Sequence, residues 1–211
     1  MSEELNQKYN IVLASGSPRR KEILTQAGLD FTVIKSEGEE VITNSDPSMV
    51  TMELSRQKAI EVYDRINGTY EASSDIYAKE KPIIVIGSDT VVAIDGQILG
   101  KPKDEAEAVC MIQKLQGRSH SVFTGVTIVL QSGEAENTVT FACETKVHVY
   151  PMSNQEIENY VLTGEPMDKA GAYGIQGLFA KYVEKIEGDY LNVVGFPLSA
   201  FWRELQKMLN R

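Results

Sequence analysis

The segment that decides the fold reads IIVIGSDTVVAIDGQIL and occupies residues 83–99. Its first apolar run, Ile83–Ile86, predicts a buried strand that ends at Gly87-Ser88-Asp89-Thr90. A second apolar run, Val91–Ile94, precedes Asp95-Gly96, and Asp-Gly between apolar runs is typical of a tight hairpin. A buried strand followed by a hairpin therefore predicts a sheet at the centre of the chain.

Strands and helices alternate before this segment. The apolar run Ile11–Ala14 predicts a buried strand, and Ser15-Gly16-Ser17-Pro18 predicts a tight turn into a helix, with Ser17 as its cap. Gly28 is expected to end this helix. A further strand is predicted at Phe31–Ile34, and Pro47 opens a second helix.

After the hairpin, the pattern changes to long alternating segments. Residues 121–130 and 138–150 predict an antiparallel pair joined across Ser132-Gly133. Asp104 and Ser153 are each expected to cap a helix. A short strand at 180–186 and a final helix from Pro197 complete the chain. The predicted fold class is α/β, with a mixed sheet and flanking helices.

The composition is that of a globular protein with a substantial core. The 211 residues are 42% apolar and 24% charged, and the formal net charge is -9. The acidic balance argues against a nucleic-acid partner, and no apolar run approaches the roughly 18 residues of a membrane helix. The sequence therefore predicts a single cytoplasmic domain over 1–211 without a membrane partner, with a polar amino-terminal tail at 1–9 and a surface loop at 67–82.

The cysteines and histidines offer little material for catalysis. Cys110 lies in a helical apolar pattern and Cys143 on an apolar strand face, so both are expected in the core. His120 and His148 are the only histidines, too few for a histidine zinc site and poor material for a Ser-His-Asp triad. The chemistry is therefore expected to use carboxylates, lysines and a hard metal ion.

The turn at residues 15–17 is a candidate anion site. It stands at a predicted helix start, where backbone N–H groups and the helix dipole attract negative charge, and Arg19 and Arg20 follow directly. An ordinary strand-to-helix connection with a solvated basic turn explains the same residues equally well.

Three further sites carry charges in informative positions. Asp89 follows a buried strand, where open α/β sheets place ligand groups, although a strand-end aspartate often serves only backbone amides. Glu39-Glu40 forms a carboxylate pair in an early loop, and most such pairs are only solvated. Lys58 lies on the buried side of its helix; its spacing alone favours a snorkelling side chain over one that meets a buried anion.

The glycine-rich segment DKAGAYGIQG, residues 168–177, allows close approach of the backbone to a ligand. It is neither a Walker A sequence nor a strand-linked GxGxxG, so a P-loop kinase or a dinucleotide enzyme is disfavoured. A plain structural turn is the alternative interpretation.

Six segments in this order resemble the Maf family of nucleoside triphosphate pyrophosphatases: LASGSPRRKEIL (13–24), GSDTVV (87–92), GKPKD (100–104), SVFTGV (121–126), GEPMDKAGAYGIQG (164–177) and GDYLNVVGFPL (188–198). The resemblance implies two lobes around a cleft, a fold similar to inosine triphosphate pyrophosphatase, and often a homodimer. The implied reaction converts a nucleoside triphosphate and water to the monophosphate and pyrophosphate with a divalent cation, Mg²⁺ or Mn²⁺.

The resemblance also assigns catalytic and metal-binding roles. The family's proton-accepting aspartate falls on Asp89, its phosphate-facing lysines on Lys58 and Lys101, and its early acidic residue on Glu40. Asp89 and Glu40 are the implied metal ligands. This chain departs from the family's pattern in having Glu39-Glu40 for an Asp-Glu pair and Gln57 for a glutamate.

Substrate recognition is implied at further positions. Three of them, Arg19, Thr90 and Gln176, sort the family by substrate and match the dTTP/UTP branch. The implied substrate-binding residues are Ser15, Ser17, Arg19, Thr90, Asp168, Lys169 and Gln176. Two other functions stay open at this point: a phosphatase that releases orthophosphate, and a non-catalytic nucleotide-binding regulator of cell division.

Overall fold

The computed structural model describes residues 2–68, 81–132 and 135–210. Helices flank a mixed seven-stranded sheet, which confirms the predicted α/β class. The elements in chain order are α1 (Ser2–Lys8), β1 (Asn10–Leu13), α2 (Pro18–Gln26), β2 (Thr32–Val33), α3 (Pro47–Gly68), β3 (Ile83–Ile94), β4 (Gln97–Leu99), α4 (Glu105–Leu115), β5 (Ser119–Ser132), β6 (Ala135–Val149), α5 (Asn154–Val161), three short 3-10 helices (Glu165–Asp168, Ala170–Ala172, Leu178–Tyr182), β7 (Val183–Glu187), α6 (Tyr190–Val194) and α7 (Leu198–Leu209).

The sheet has the order β2-β1-β3-β5-β6-β7, with β4 paired to β3. Strand β1 runs parallel to β2 and β3, and all other pairs are antiparallel. Strands β5 and β6 pair from Ser119 opposite His148 to Ser132 opposite Ala135, which confirms the predicted antiparallel pair. The predicted turn residue Gly133 lies outside the described residues.

Strand β3 is continuous through residues 83–94, so the predicted strand end at 87–90 is wrong. Residues 83–93 pair with β5, and this pairing carries the strand past Asp89. Along the opposite edge, β1 pairs with residues 83–86 and β4 with residues 92–94. In the described ladders, the stretch 87–91 has a partner on one side only. This open edge is where the sheet meets its main cleft.

Two strand glycines let α3 lie directly on the sheet. A Cβ added to Gly87 would lie 2.2 Å from the Ser55 carbonyl oxygen, and one added to Gly125 would lie 2.2 Å from the Thr51 carbonyl oxygen. Glycine in a strand interior is typical of such close backbone approach. Asp89 is the register partner of Gly125, so its side chain shares the sheet face that α3 covers.

The described residues form four apolar core clusters, three of them large and a small one around Val50, Leu54 and Val91. One cluster joins the sheet to α1, α2 and α7, and another joins it to α3. The third packs α4, α5 and the 3-10 helices against the far end of β3. Fully buried members include Leu13, Leu24, Ile84, Ile86, Ile112, Leu115, Phe179 and Phe201.

The predicted Asp95-Gly96 turn and the predicted caps at Asp104 and Ser153 are confirmed. Asp95 and Gly96 both have positive φ, 51° and 72°, as the type I′ hairpin turn requires. Asp104 accepts a hydrogen bond from the Glu107 backbone N–H at 2.8 Å. Ser153 forms a complete capping box with Glu156.

Three expectations need correction or fall partly outside the structure. The segment predicted as a polar tail forms α1, because Leu5 is buried against the core cluster of α2 and α7. The predicted loop at 67–82 begins later, since α3 continues to Gly68, and residues 69–80 lie outside the described residues. Cys110 is exposed rather than in the core, because α4 buries the face that carries Ala108, Met111, Ile112 and Leu115.

Cys143 is half-buried on β6 rather than fully in the core. Within the part of the chain that the structure describes, no helix is long and apolar enough to cross a membrane.

Candidate active site

A cleft of about 830 Å³ lies at the open edge of β3. Its lining comes from the start of α2, the middle of α3, the loop after β2, the segment after β4 and the glycine-rich segment. The cleft brings together all eleven site residues predicted from the sequence: Ser15, Ser17, Arg19, Glu40, Lys58, Asp89, Thr90, Lys101, Asp168, Lys169 and Gln176.

Lys58 holds two carboxylates at the cleft floor. Its ammonium nitrogen lies 2.5 Å from Asp89 Oδ1 and 2.8 Å from Glu40 Oε1. The Lys58 and Asp89 side chains are only 17% and 14% exposed, so this pair is largely screened from water. Lys58 therefore meets anions at the site rather than snorkelling to solvent. The backbone contact between α3 and β3 fixes the separation of the two residues.

The Gln57 side chain holds the Glu40 loop against α3. The amide oxygen of Gln57 accepts a hydrogen bond from the Val41 N–H, and its amide nitrogen donates to the Val41 carbonyl. The departure from the family's pattern at this position thus has a structural role beside Glu40.

Glu40 and Asp89 offer oxygen ligands that suit a hard metal ion. No group of three or more His, Cys, Asp or Glu side chains suited to a metal occurs among the described residues. Mg²⁺ commonly uses one or two protein carboxylates and completes its shell with water and substrate phosphates. The pair therefore fits such an ion when a phosphorylated substrate supplies the other ligands.

The turn before α2 leaves polar groups free for a ligand. Ser17 occupies the cap position, but its hydroxyl makes no capping hydrogen bond. The Ser17 N–H donates instead to Ser15 Oγ at 3.3 Å. Arg19 lies next to this turn, with its Nη1 atom 3.6 Å from a carboxylate oxygen of Asp168.

Arg20 is a site residue that the sequence analysis placed beside the candidate anion turn but gave no role of its own. Its guanidinium donates to Ser15 Oγ at 3.0 Å, to Thr90 Oγ1 at 3.1 Å and to the Gly195 carbonyl at 2.9 Å. Burial lowers the pKa of the Arg20 guanidinium from its usual value, and the Asp89 charge opposes that effect. A usable signal was present, because Arg20 precedes Ile23 by three residues, on the buried stripe of α2.

The hydroxyl proton of Thr90 is already used in a hydrogen bond within the protein. Its oxygen accepts from Arg20 and lies 2.9 Å from Thr124 Oγ1, which donates to the Asn192 carbonyl. Since the single Thr124 proton goes to Asn192, Thr90 must be the donor in the Thr90–Thr124 bond. Thr90 can therefore accept one further hydrogen bond from a ligand but cannot donate one.

Glu165, which the sequence analysis also missed, organises the glycine-rich segment. Its carboxylate accepts from the Leu178 N–H at 2.8 Å and from the Tyr160 hydroxyl at 3.0 Å. Lys169 donates to the Glu165 carbonyl and to Asp168 Oδ1, each at 2.6 Å. Gln176 lies between these fixed points. A glutamate at the start of a short 3-10 helix gives no sequence signal for this bracing role.

Asp168 is shared between two basic residues. Burial alone would raise the pKa of Asp168, but the hydrogen bond and charge of Lys169 and the charge of Arg19 bring it below its usual value. Asp168 thereby connects the glycine-rich segment to the start of α2 across the cleft.

A buried histidine supports the same segment from below. His120 Nε2 lies 2.7 Å from the hydroxyl of Tyr173, and the two rings make an edge contact with centroids 5.3 Å apart. Burial lowers the pKa of His120 to about 4, helped by the nearby His148. The sequence analysis treated this histidine only as evidence against a histidine zinc site and a Ser-His-Asp triad.

The cleft concentrates positive charge in an acidic protein. Its lining carries six Lys or Arg residues and three Asp or Glu residues, an excess of three positive charges, whereas the chain carries a net charge of -9. Lys101 is exposed on this lining and has no ion-pair partner among the described residues. Such a local field attracts a polyanionic ligand.

These features agree with what the sequence shares with known proteins. The pattern of the Maf-like protein family matches residues 10–208, and the chain belongs to this family. A protein of Agathobacter rectalis that is named dTTP/UTP pyrophosphatase is 49% identical over 199 residues, which cover 94% of this chain and 97% of the relative.

Proteins of the same name occur in two other organisms. The one from Lachnoclostridium phytofermentans is 47% identical and covers 94% of this chain and 95% of the relative. The one from Bacillus cytotoxicus is 46% identical, with coverages of 93% and 94%. The similarity thus covers nearly the whole length of this chain and of each relative.

Proposed function

We propose that this protein hydrolyses dTTP and UTP to the monophosphate and pyrophosphate, as the names of its relatives state for them. The observation that carries the proposal is the Glu40–Lys58–Asp89 arrangement at the floor of a positively charged cleft. Phosphoryl transfer depends mainly on positioning and on neutralising negative charge, and this cleft offers both.

Asp89 is the proposed general base. It accepts a proton from water as the water oxygen bonds to the α-phosphorus, and the bond from that phosphorus to the bridging oxygen breaks. Pyrophosphate leaves with the electrons of the broken bond. Lys58 orients Asp89 through their contact at 2.5 Å. Arg19, Lys101 and the start of α2 offset the charge of the phosphate chain.

A divalent cation, Mg²⁺ or Mn²⁺, would be held by Glu40 and Asp89 together with phosphate oxygens. When bound, such an ion neutralises phosphate charge and lowers the pKa of water. Without it, Lys58 already brings the two carboxylates to one point. The same residues would thus hold the ion and orient the attacking water.

Thr90 and Gln176 are the proposed recognition residues for the base. Thr90 can only accept a hydrogen bond, and the N3–H group that uracil and thymine share is a donor. Cytosine presents an acceptor at that position, which would leave Thr90 opposite a lone pair. The Gln176 amide can pair with a carbonyl of the base. A site built on such hydrogen bonds rejects analogues that leave them unmade.

The test measures pyrophosphate release from UTP, dTTP, CTP, GTP and 7-methyl-GTP with Mg²⁺ or Mn²⁺. We expect UTP and dTTP to be preferred. Asp89→Asn should lower kcat by about a thousandfold, since general base catalysis contributes roughly 10²–10⁴-fold. The matched control is Asp64→Asn, an exposed site on α3 that does not line the cleft.

Other outcomes would contradict the proposal. Release of orthophosphate would indicate a phosphatase, and tight nucleotide binding without turnover would indicate a non-catalytic regulator. Asp89→Asn with wild-type turnover and an intact fold would refute the assigned base. The homodimer, the cytoplasmic location and the two-lobed likeness to inosine triphosphate pyrophosphatase stay predictions.

A further inference from the structure

Lys35 is a cleft residue to which the sequence analysis gave no role. It follows β2, and its methylene groups lie across the backbone of Gly16 in the anion-binding turn. A Cβ on Gly16 would lie 2.7 Å from Lys35 Cε and 3.1 Å from Lys35 Cδ. The glycine therefore provides the space in which the lysine side chain crosses the turn.

The backbone around Lys35 is held in place. The Lys35 carbonyl accepts a hydrogen bond from Arg65 Nη2 at 2.9 Å. On one side, the Ile34 N–H donates to the Leu13 carbonyl at 3.1 Å, and on the other the Ser36 hydroxyl donates to Glu61. The exposed Lys35 side chain thus extends over the cleft from a backbone that is held by hydrogen bonds.

Most other cations of the cleft already have internal partners. Lys58 is paired with Asp89 and Glu40, Arg19 with Asp168, and Lys169 with Asp168. The Lys35 ammonium, like that of Lys101, has no ion-pair partner among the described residues. These two charges can meet a phosphate without first releasing a carboxylate of the protein.

We propose that Lys35 is a substrate-binding residue whose ammonium contacts the phosphate group seated on the Ser15–Ser17 turn. The inference rests on the proposed function in taking a nucleoside triphosphate as the ligand. An ammonium on a flexible stem acts as a point charge, so it strengthens binding of the substrate and of the transition state about equally. Its removal therefore raises KM and leaves kcat nearly unchanged.

The test compares Lys35→Met with Lys21→Met. Methionine keeps an apolar stem across Gly16 and removes the charge. Lys21 lies in the first turn of α2 and does not line the cleft, so its variant removes the same charge near the turn. With UTP, Lys35→Met should raise KM about fivefold to tenfold with kcat within about twofold, and Lys21→Met should change KM by less than about twofold.

Two further measurements identify a direct charge contact. The Lys35→Arg variant keeps the positive charge, so its KM should lie within about twofold of the wild-type value. At about 0.5 M salt, the difference between wild type and Lys35→Met should shrink, because salt screens exposed charges. An unchanged KM in Lys35→Met, or an equal rise in Lys21→Met, would overturn the proposal. A rise that arginine does not reverse would also overturn it, since it would reflect the side-chain shape rather than the charge.

A binding measurement tests the role of Lys35 independently of the proposed reaction. The Kd of a UTP analogue with a non-hydrolysable α,β-imido linkage is measurable whether or not the protein turns over UTP. A weaker Kd in Lys35→Met alone supports the lysine contact even if wild type releases no pyrophosphate. Equal Kd values in wild type and Lys35→Met refute the contact even if the enzyme is active.

Discussion

The two walls of the cleft are built differently. The sheet wall consists of β3, β5 and α3, and its glycines, Gly87 and Gly125, face backbone carbonyls of the helix. The loop wall consists of residues 164–178, and its glycines face side chains: Gly174 faces Lys169, and Gly177 faces Glu165. Backbone contact fixes the proposed catalytic pair, Lys58 and Asp89, whereas side-chain contacts fix the residues proposed to recognise the base.

This difference teaches which positions tolerate change. A shift of the sheet wall requires movement of a whole helix or strand, because the touching atoms belong to the main chain. A shift of the loop wall requires only that one side chain change its partner. We therefore expect substitutions in the sheet wall to affect folding and turnover together, and those in the loop wall to affect substrate recognition or pH dependence more selectively.

The largest effect is expected from Gly125→Ala in the sheet wall. The new methyl group would lie 2.2 Å from the Thr51 carbonyl oxygen, so α3 must move. Overpacking of this kind costs roughly 3 kcal/mol in the free energy of unfolding. Because α3 carries Lys58, kcat with UTP should also fall.

Urea unfolding and steady-state kinetics measure both effects. For the unfolding measurement the control is Gly100→Ala, where an added Cβ meets no atom within 4 Å. A loss below about 1 kcal/mol for Gly125→Ala, with wild-type kcat, would show that the helix does not depend on this glycine and would remove the contrast between the walls.

A pH-dependent effect is expected beneath the loop wall. The pKa of buried His120 is about 4, below the roughly 6.5 of an unfolded histidine. Between these values the unfolded chain binds a proton that the folded chain does not, so stability falls as the pH drops from about 6.5 towards 4. Protonation of His120 in the unfolded chain should therefore lower the free energy of unfolding by about 2 kcal/mol at pH 5 relative to pH 7.5.

His120→Gln removes the titrating group and retains a partner for the Tyr173 hydroxyl. Urea unfolding at the two pH values should give a smaller loss on acidification for this variant than for wild type. Equal losses would mean that other groups, such as carboxylates with lowered pKa values, account for the whole acid sensitivity.

A smaller and more selective effect is expected from Glu165→Gln. The amide keeps the volume and one acceptor, but it cannot accept from both the Leu178 N–H and the Tyr160 hydroxyl as the carboxylate does. The end of the loop wall next to Gln176 loses a hydrogen bond. We expect kcat/KM for UTP to fall about tenfold, the equivalent of one charged hydrogen bond.

The preference for UTP over CTP should fall as well. Glu158→Gln, an exposed change on α5, serves as the control. If Glu165→Gln kept the wild-type preference, the carboxylate would not position the recognition residues.

Local signals predicted the elements, and tertiary contacts decided the site. Asp95-Gly96, Asp104 and Ser153 act through neighbours in the sequence, so their turn and caps were predictable. Asp89 was placed at a strand end because the apolar run Ile83–Ile86 stops just before Gly87-Ser88-Asp89-Thr90. The pairing with β5, which lies far away in sequence, carries the strand through it.

The cleft residues that were missed act through partners distant in the chain. Arg20 reaches Gly195, and Glu165 reaches Leu178 around a curved segment. Composition and spacing do not encode such contacts. The family resemblance identified eleven residues of one cleft without knowledge of these contacts. It could do so because proteins of one family share a fold, which brings the same sequence positions together.

The close crossing of α3 over β3 has a consequence for protein engineering. The separation of Lys58 from Asp89 is set by main-chain contact, so a library that repacks the apolar core leaves the proposed catalytic pair in register. Diversity can therefore be concentrated in residues 164–178 to change nucleotide preference. Gly87 and Gly125 should stay invariant in every design, since they define the framework on which new specificities are selected.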